Sequence, residues 1–395
     1  MIKHFITAAA LSALVAAPAF ADPIRDRIAA DLPGLMAIYR DLHQNPELSQ
    51  QEFRSAKILA GEARKAGFEV TEGLFGTGVV AVLKNGPGPV VMIRADIDAL
   101  PVVEQTGLAF ASTKRGTSQA GVESGIMHAC GHDTHMTTWI ATARLLSANR
   151  DKWSGTLIMI GQPAEETIGG AGGMVRDGLM TRWPKPDYVL AIHDSADLPS
   201  GAIGVKGGFV LANVDSVDIT VKGVGGHGAY PQNTKDPIVL ASAIVMRLQT
   251  LASRENNPLD PVVVTVGSFH AGSKHNIIPD EARLQLTVRS YSEGSRKLLL
   301  DGIKRIARGE AEASGLPADL MPVVKVEEPG GRATWNTPEL AERMRKLFTA
   351  RFGADRVFDP PPSMASEDFG DLARAAGPGT QSLIMWVGGR PKEQL

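Results

Sequence analysis

The nine residues Met127–His135 read MHACGHDTH and hold three histidines, an aspartate and the only cysteine of a 395-residue chain. Three chemistries fit these residue types: a metal site, a cysteine nucleophile with a histidine base, or a polar loop with no reaction to perform. Cys130 and His132 are separated by one glycine, and residues two apart in an extended or tightly turned loop can face the same way. Gly131 permits the turn and leaves room for an ion. Thiolate, imidazole and carboxylate together suit a divalent transition metal. Asp133 is read as the N-cap of a following helix. His128 and His135 are read as supporting residues, with His135 near enough to hydrogen-bond at the site.

Further chain positions carry matching chemistry. In Glu165-Glu166, adjacent side chains on an extended segment point in different directions, so one carboxylate can bind metal while the other holds an attacking water. A metal lowers the pKa of water toward ~7, and a neighbouring carboxylate can then take its proton. Taken alone, the pair also reads as two exposed acids in a loop. Asp96 and Asp98 follow the run VVMIR, and His193 and Asp194 follow YVLAI.

Such groups need a scaffold that delivers them to one edge. Helical spacing marks 31–45, 51–66 and 133–146, while GVVAVL (78–83), VVMIR (90–94), TLIMIG (156–161) and YVLAI (188–192) are apolar throughout. Runs of that kind suggest strands buried on both faces. With helices between them they argue for an α/β fold with a mostly parallel sheet. Ligands gather beyond the carboxyl ends of such strands, which is where the Asp96/Asp98, Glu165/Glu166 and His193/Asp194 groups fall.

The texture changes after about residue 212. DSVDITVK (215–222) alternates polar and apolar residues as a half-exposed strand does. Helices over 236–251 and 292–314 and strands over 261–269, 282–289 and 321–326 complete the order β-α-β-β-α-β, a ferredoxin-like unit. The expected organisation is therefore a catalytic domain over 22–212 and 327–395, interrupted by a second domain over 213–326. A helix at 338–352 and a strand at 381–387 return to the first.

Lys3, the apolar run Phe5–Val15 and Ala19-Phe20-Ala21 read as an export signal over residues 1–21, most simply toward a bacterial periplasm. No other run reaches the roughly 18 to 20 apolar residues that a membrane span needs. The formal charge is −2, or −3 once Lys3 is removed with the leader. With no long basic run, nucleic acid and anionic membrane are not expected partners. A lone cysteine cannot form an intramolecular disulfide. In an oxidising compartment it is expected to be buried or bonded to something.

HACGHDTH, PAEETIGGA, IHD, GVGGHGAYP, HNIIPDEARL and SEDFG occur in that order across some 240 residues. Each is weak alone, but the ordered set is specific, and with it the chain resembles the aminoacylase, hippurate hydrolase and indoleacetyl-amino-acid hydrolase family of di-metal amidohydrolases and peptidases. The resemblance covers essentially everything after residue 21. It implies a di-metal peptidase-like catalytic domain with an inserted lid and dimerisation domain. The implied activity is metal-dependent hydrolysis of the amide bond of N-acyl amino acids or small peptides by a homodimer holding two divalent ions, of zinc, manganese, cobalt or nickel.

By the same resemblance, Cys130, His132, Glu166 and His193 are metal ligands and Glu165 is the general base. His227 reaches an active site to polarise the scissile carbonyl, in many relatives the partner subunit's site. Asn276 and Arg289 lie near substrate, and Arg289 suits a carboxylate through its planar fork. Asp98 orients a ligand from behind the site, and Asp133 caps or supports. The family also carries a further metal-binding histidine beyond the SEDF segment. The last histidine here is His275, so the expectation is a shortened C-terminus and an incomplete second metal site, with Asp368 as a weak substitute. Two alternatives follow: Cys130 as a nucleophile, which leaves Glu165, Glu166 and His193 idle, or a non-catalytic binding protein for acyl amino acids or peptides.

Overall fold

The structure is a computed structural model and describes residues 22–328, 330–391 and 393. The expected export signal, residues 1–21, lies outside them. The elements that build the two larger sheets and cover them are α1 (Pro23–Gln44), α2 (Phe53–Lys65), β1 (Glu69–Leu74), β2 (Gly78–Asn85), β3 (Val90–Asp96), α3 (His132–Ala148), β4 (Gly155–Gln162), β5 (Tyr188–Pro199), β6 (Ile203–Gly204), β7 (Asn213–Lys222), α4 (Pro237–Thr250), β8 (Val262–Ala271), β9 (Glu281–Ser290), α5 (Glu293–Ala313), β10 (Val323–Val326), α6 (Pro338–Phe352), β11 (Val357–Phe358) and β12 (Gln381–Arg390).

Eight strands form the larger sheet in the order β1-β2-β4-β3-β5-β12-β6-β11. Its centre is parallel, through the pairs β4/β3, β3/β5 and β5/β12. Side chains alternate between two cores. Val79, Ala81 and Leu83 pack with Leu42, Leu59, Met136 and Trp139 beneath α1, α2 and α3. Val80 and Val82 pack with Met174, Phe369 and Leu372 on the other face. Each fully buried aliphatic side chain contributes about 1.5–3 kcal/mol, so this double packing fixes the sheet between its layers.

The strand read over 78–83 is β2, and it pairs antiparallel with both β1 and β4 at one side of the mostly parallel sheet. Its continuous hydrophobicity reflects helices on both faces of the sheet, and that covering is independent of strand direction.

Residues 213–326 form a four-stranded antiparallel sheet, β8-β9-β7-β10. Val217, Ile219 and Val221 of β7 and Leu284, Leu286 and Val288 of β9 face Leu240, Ile244 and Leu248 of α4 and Leu299, Ile303 and Ile306 of α5. The period-2 pattern puts the apolar set on the helix-covered side.

Register brings the polar groups together. Asp96 ends β3 opposite Gln162 at the end of β4, and the Ile97 N–H donates to the Gln162 carbonyl at 3.0 Å. The segments leading to Asp98 and to Glu165 therefore leave the sheet side by side. His193 and Asp194 lie inside β5, paired with Trp386 and Val387 of β12, rather than in a loop after it. That placement holds His193 by ladder hydrogen bonds.

Two helix starts also differ from the sequence reading. α1 begins eight residues early, at Pro23, with Asp22 as its N-cap accepting the Arg25 N–H at 3.3 Å. α3 is capped by Gly131, in a left-handed conformation with φ 74°, and Asp133 lies within its first turn. Asp133 is drawn inward because it pairs with His43, with Oδ2 2.6 Å from His43 Nδ1.

Candidate metal centre

The chain turns at Gly131 because no other residue fits. A Cβ there would overlap the Asp194 carboxylate, and the φ is positive. The turn sets Cys130 on one side and starts α3 with His132 on the other. Cys130 Sγ lies 3.5 Å from His193 Nε2. His132 Nε2 lies 3.8 Å from Glu166 Oε1, 3.9 Å from Glu165 Oε2 and 3.4 Å from Asp96 Oδ2.

Hydrogen bonds to backbone carbonyls define which ring nitrogens are free. His132 Nδ1 donates to the Asp98 carbonyl at 2.8 Å, and His193 Nδ1 donates to the Asp194 carbonyl at 2.7 Å. In each neutral ring the lone pair is then on Nε2, the atom that faces the cluster. His135 is different. Its Nε2 accepts the Asp194 N–H at 2.9 Å and its Nδ1 meets Asp96 Oδ1 at 2.6 Å. Both nitrogens are engaged, so His135 holds Asp96 and the β5 backbone in place.

His132 Nε2 and Glu166 Oε1 are buried without a hydrogen-bond partner. Unpaired polar atoms in a protein interior are costly, and two of them facing each other fit a shared cation. Cys130 with His132 and His193 forms one donor group whose ligand atoms lie within 4.8 Å of one another, and His132 with Glu165 and Glu166 forms another. Thiolate, imidazole and carboxylate donors in this arrangement fit divalent transition metals.

The electrostatics are those of a crowded anionic site. Burial pushes the Glu165 carboxyl well up, helped by Glu367 and Asp368, and pushes Glu166 up to about 7. Burial also raises the Cys130 thiol and lowers His193. For His132 burial acts downward, but Asp96 and Asp98 outweigh it and the net shift is upward.

Behind these groups lies a polar layer that the sequence did not reveal. Arg94, fully buried in the middle of β3, donates to Asp96 Oδ2 at 2.6 Å, Glu367 Oε1 at 2.6 Å and Gln162 Oε1 at 2.8 Å. Gln162 Nε2 donates in turn to Asp368 Oδ1 at 2.5 Å, and the Ala171 N–H donates to Asp368 Oδ2 at 2.9 Å. Asp368 is thus committed to N–H donors. Glu367, rather than Asp368, groups with Asp96 and Glu165. An arginine inside the apolar run VVMIRAD was the available signal, because a buried guanidinium requires carboxylate partners. Asp98 lies against His132 as well: its Oδ2 accepts from Ser49 Oγ at 2.6 Å and from the Glu166 N–H at 3.1 Å, and its Oδ1 is 3.3 Å from His132 Nδ1.

The remaining candidates sit elsewhere. His227 is exposed on a two-stranded ribbon, Gly226–His227 against Ile277–Ile278. Asn276 adjoins it, its carbonyl accepting the Gly228 N–H at 2.9 Å. Among the described residues no hydrogen bond or ion pair joins either residue to the metal cluster. Arg289, half-buried in β9, donates to Ser366 Oγ at 2.7 Å and Thr287 Oγ1 at 3.2 Å. Ser366 immediately precedes Glu367, and no carboxylate pairs with Arg289 among the described residues.

A partly buried thiol gathered with buried imidazole and carboxylate groups beside an α/β sheet is the donor set of a metal-dependent hydrolase. The chain belongs to peptidase family M20/M25/M40, whose model matches residues 92–394. It is 37% identical over 335 residues to a hippurate hydrolase of Campylobacter jejuni, covering 84% of this chain and 83% of that one. It is 37% identical over 346 residues to thermostable carboxypeptidase 2 of Saccharolobus solfataricus, covering 87% and 83%. Among solved structures it superposes on a dinuclear metal-binding M20 peptidase of Bacillus subtilis with a TM-score of 0.74, at 32% identity over 91% of this chain and 89% of that one.

Proposed function

We propose that the chain hydrolyses the amide bond of N-acyl amino acids or small peptides, with Glu165 as general base. The observation that carries this reading is the buried Glu165 carboxylate beside the unpartnered His132 Nε2 and Glu166 Oε1. Cys130, His132, Glu166 and His193 would hold divalent ions, which when bound supply Lewis acidity, acidify water and offset the carboxylate charge. Glu165 takes a proton from the attacking water and hands it to the leaving nitrogen.

Arg289 would receive the substrate carboxylate. It is half-buried, lacks a carboxylate partner among the described residues and adjoins the segment carrying Glu367. His227 and Asn276 would complete the site from the partner subunit of a homodimer, with His227 at the developing oxyanion. The dimer is supported by the free edge of β8 in the four-stranded sheet and by the exposed apolar side chains Val239, Met246 and Phe269. Residues 1–21 would direct export to a periplasm.

The test is hydrolysis of a panel of acetyl, benzoyl and peptidyl amino acids by metal-free protein supplemented with Mn²⁺, Zn²⁺, Co²⁺ or Ni²⁺. Turnover confined to metal-loaded protein and to substrates with a free carboxylate is expected. Tight binding without turnover under every metal would favour a binding protein instead.

A further inference from the structure

We infer that Glu52 is a positioning residue for the Glu165 carboxylate. This rests on Glu165 acting as the base.

Glu52 is the N-cap of α2, is fully buried, and has no cationic partner among the described residues. Its oxygens reach across 112 residues of sequence to the catalytic turn: Oε1 accepts the Ala164 N–H at 2.9 Å and the Gln50 N–H at 2.8 Å, and Oε2 accepts from Thr77 Oγ1 at 2.5 Å. Ala164 immediately precedes Glu165.

The turn it grips is strained. Ala164 has φ 52° and Ile168 φ 53°, and on the Glu52 side of the contact Gln50 has φ 64°, all left-handed and none a glycine. Such conformations persist only where surrounding contacts over-determine them. Glu52 supplies such contacts, because one oxygen ties two of the three left-handed residues together.

Glu165 is held on its other side too. The Glu166 N–H donates to Asp98 Oδ2 at 3.1 Å, and Ser49 Oγ donates to the same oxygen at 2.6 Å. Two buried carboxylates therefore accept the backbone N–H groups immediately before and after the base. Both are reached from the segment Ser49–Glu52, which joins α1 to α2. Burying a carboxylate without a cation is costly. Fixing a reactive group to within a fraction of an ångström is a role that such a costly burial can serve, since small misplacements cost large factors in rate.

The test compares Glu52→Ala and Glu52→Gln in the full chain loaded with metal. It measures kcat, KM, metal content, melting temperature and amide hydrogen exchange over residues 163–169. Glu52→Ala should lower kcat by about 10²-fold, leave KM and metal content near wild type, and accelerate exchange in that segment alone. Glu52→Gln retains an acceptor for the Ala164 N–H and should keep most of kcat. Where Glu52→Ala is insoluble, Glu52→Asp withdraws the carboxylate by one methylene and should show the same local pattern. Wild-type exchange over 163–169 with wild-type kcat overturns the positioning role. So does a loss of kcat that tracks lost metal or a general acceleration of exchange. Glu165→Gln run alongside separates the two ideas: wild-type turnover there removes the base itself, whatever Glu52 does to the turn.

Discussion

His132 Nε2 and Glu166 Oε1 face each other across 3.8 Å, both buried and neither hydrogen-bonded. Each atom forfeits solvent and gains no hydrogen bond from the protein. A cation between them would satisfy both, so ion binding should stabilise the fold as well as enable catalysis. A ligand present at a hundred times its Kd adds about 2.7 kcal/mol. Chelation followed by dialysis should therefore lower the melting temperature and abolish turnover, and Mn²⁺, Zn²⁺ or Co²⁺ should restore both. Cys130→Ser should reduce bound metal measured by elemental analysis. Full activity after exhaustive chelation, with loss only on thiol alkylation, would point to a nucleophilic Cys130.

Glu165→Gln preserves shape while removing the proton acceptor. General bases contribute typically ~10²–10⁴ in rate, so kcat should fall by about that factor while bound metal stays at wild-type level. Because Glu165 is also crowded by Glu367 and Asp368, the substitution should leave stability unchanged or raised. A variant that turns over normally would remove Glu165 from the chemistry.

Much of this was legible in the sequence where local pattern and tertiary environment agree. The apolar runs at 90–94, 156–161 and 188–192 all became strands of the larger sheet, and the helix read over 338–352 has those limits in the structure. The pattern misled where a local cue had two causes. Asp133 has the composition of a cap, but its partner His43 lies 90 positions away in sequence. Arg94, Glu367 and Glu52 were missed for a related reason: beside a neighbour two positions away, such as Asp96 for Arg94, their roles depend on partners 25 to 273 residues distant.

Arg94 offers a stability prediction. Its guanidinium is buried against Asp96 and Glu367, and removing one partner of a buried pair costs about 3–5 kcal/mol by stranding the others. Arg94→Met should lower the unfolding free energy by about that amount, read as a lower denaturant midpoint at unchanged slope, and weaken metal binding, since Asp96 also steadies His135. Arg94→Lys should recover only part of it, because an ammonium cannot reproduce the fork that spans Asp96, Glu367 and Gln162. An unchanged midpoint in Arg94→Met would show that the network is not load-sharing.

For Arg289 the expected signature is kinetic. If it binds the substrate carboxylate equally in ground and transition states, Arg289→Ala should raise KM with kcat nearly unchanged. Each tenfold in KM corresponds to about 1.4 kcal/mol. Substrates whose carboxylate is amidated should be poor for wild type and indifferent to the substitution. Equal effects of the substitution on free and amidated substrates would dissociate Arg289 from carboxylate recognition.

The pH dependence of stability should carry the mark of His43. Its Nδ1 hydrogen bond to Asp133 raises its pKa most strongly, burial opposes this, and the Glu104 contact at 3.0 Å adds to the rise, giving about 9 against an ordinary 6.5. The folded protein therefore binds this proton more tightly than the unfolded chain does. The stabilisation is fully present below about pH 6.5, declines as pH rises, and is gone above about pH 9. Glu166 and Glu52, raised to about 7, and Asp368, raised to about 8, also lose stability as pH rises into this range, so the wild-type curve alone cannot isolate His43. The difference between wild type and His43→Gln does isolate it. Melting temperatures of the two proteins should differ most near pH 6 and converge toward pH 10. A difference that stays constant across that range would mean that His43 is neutral in the folded protein and contributes through packing against Tyr39 and Phe110.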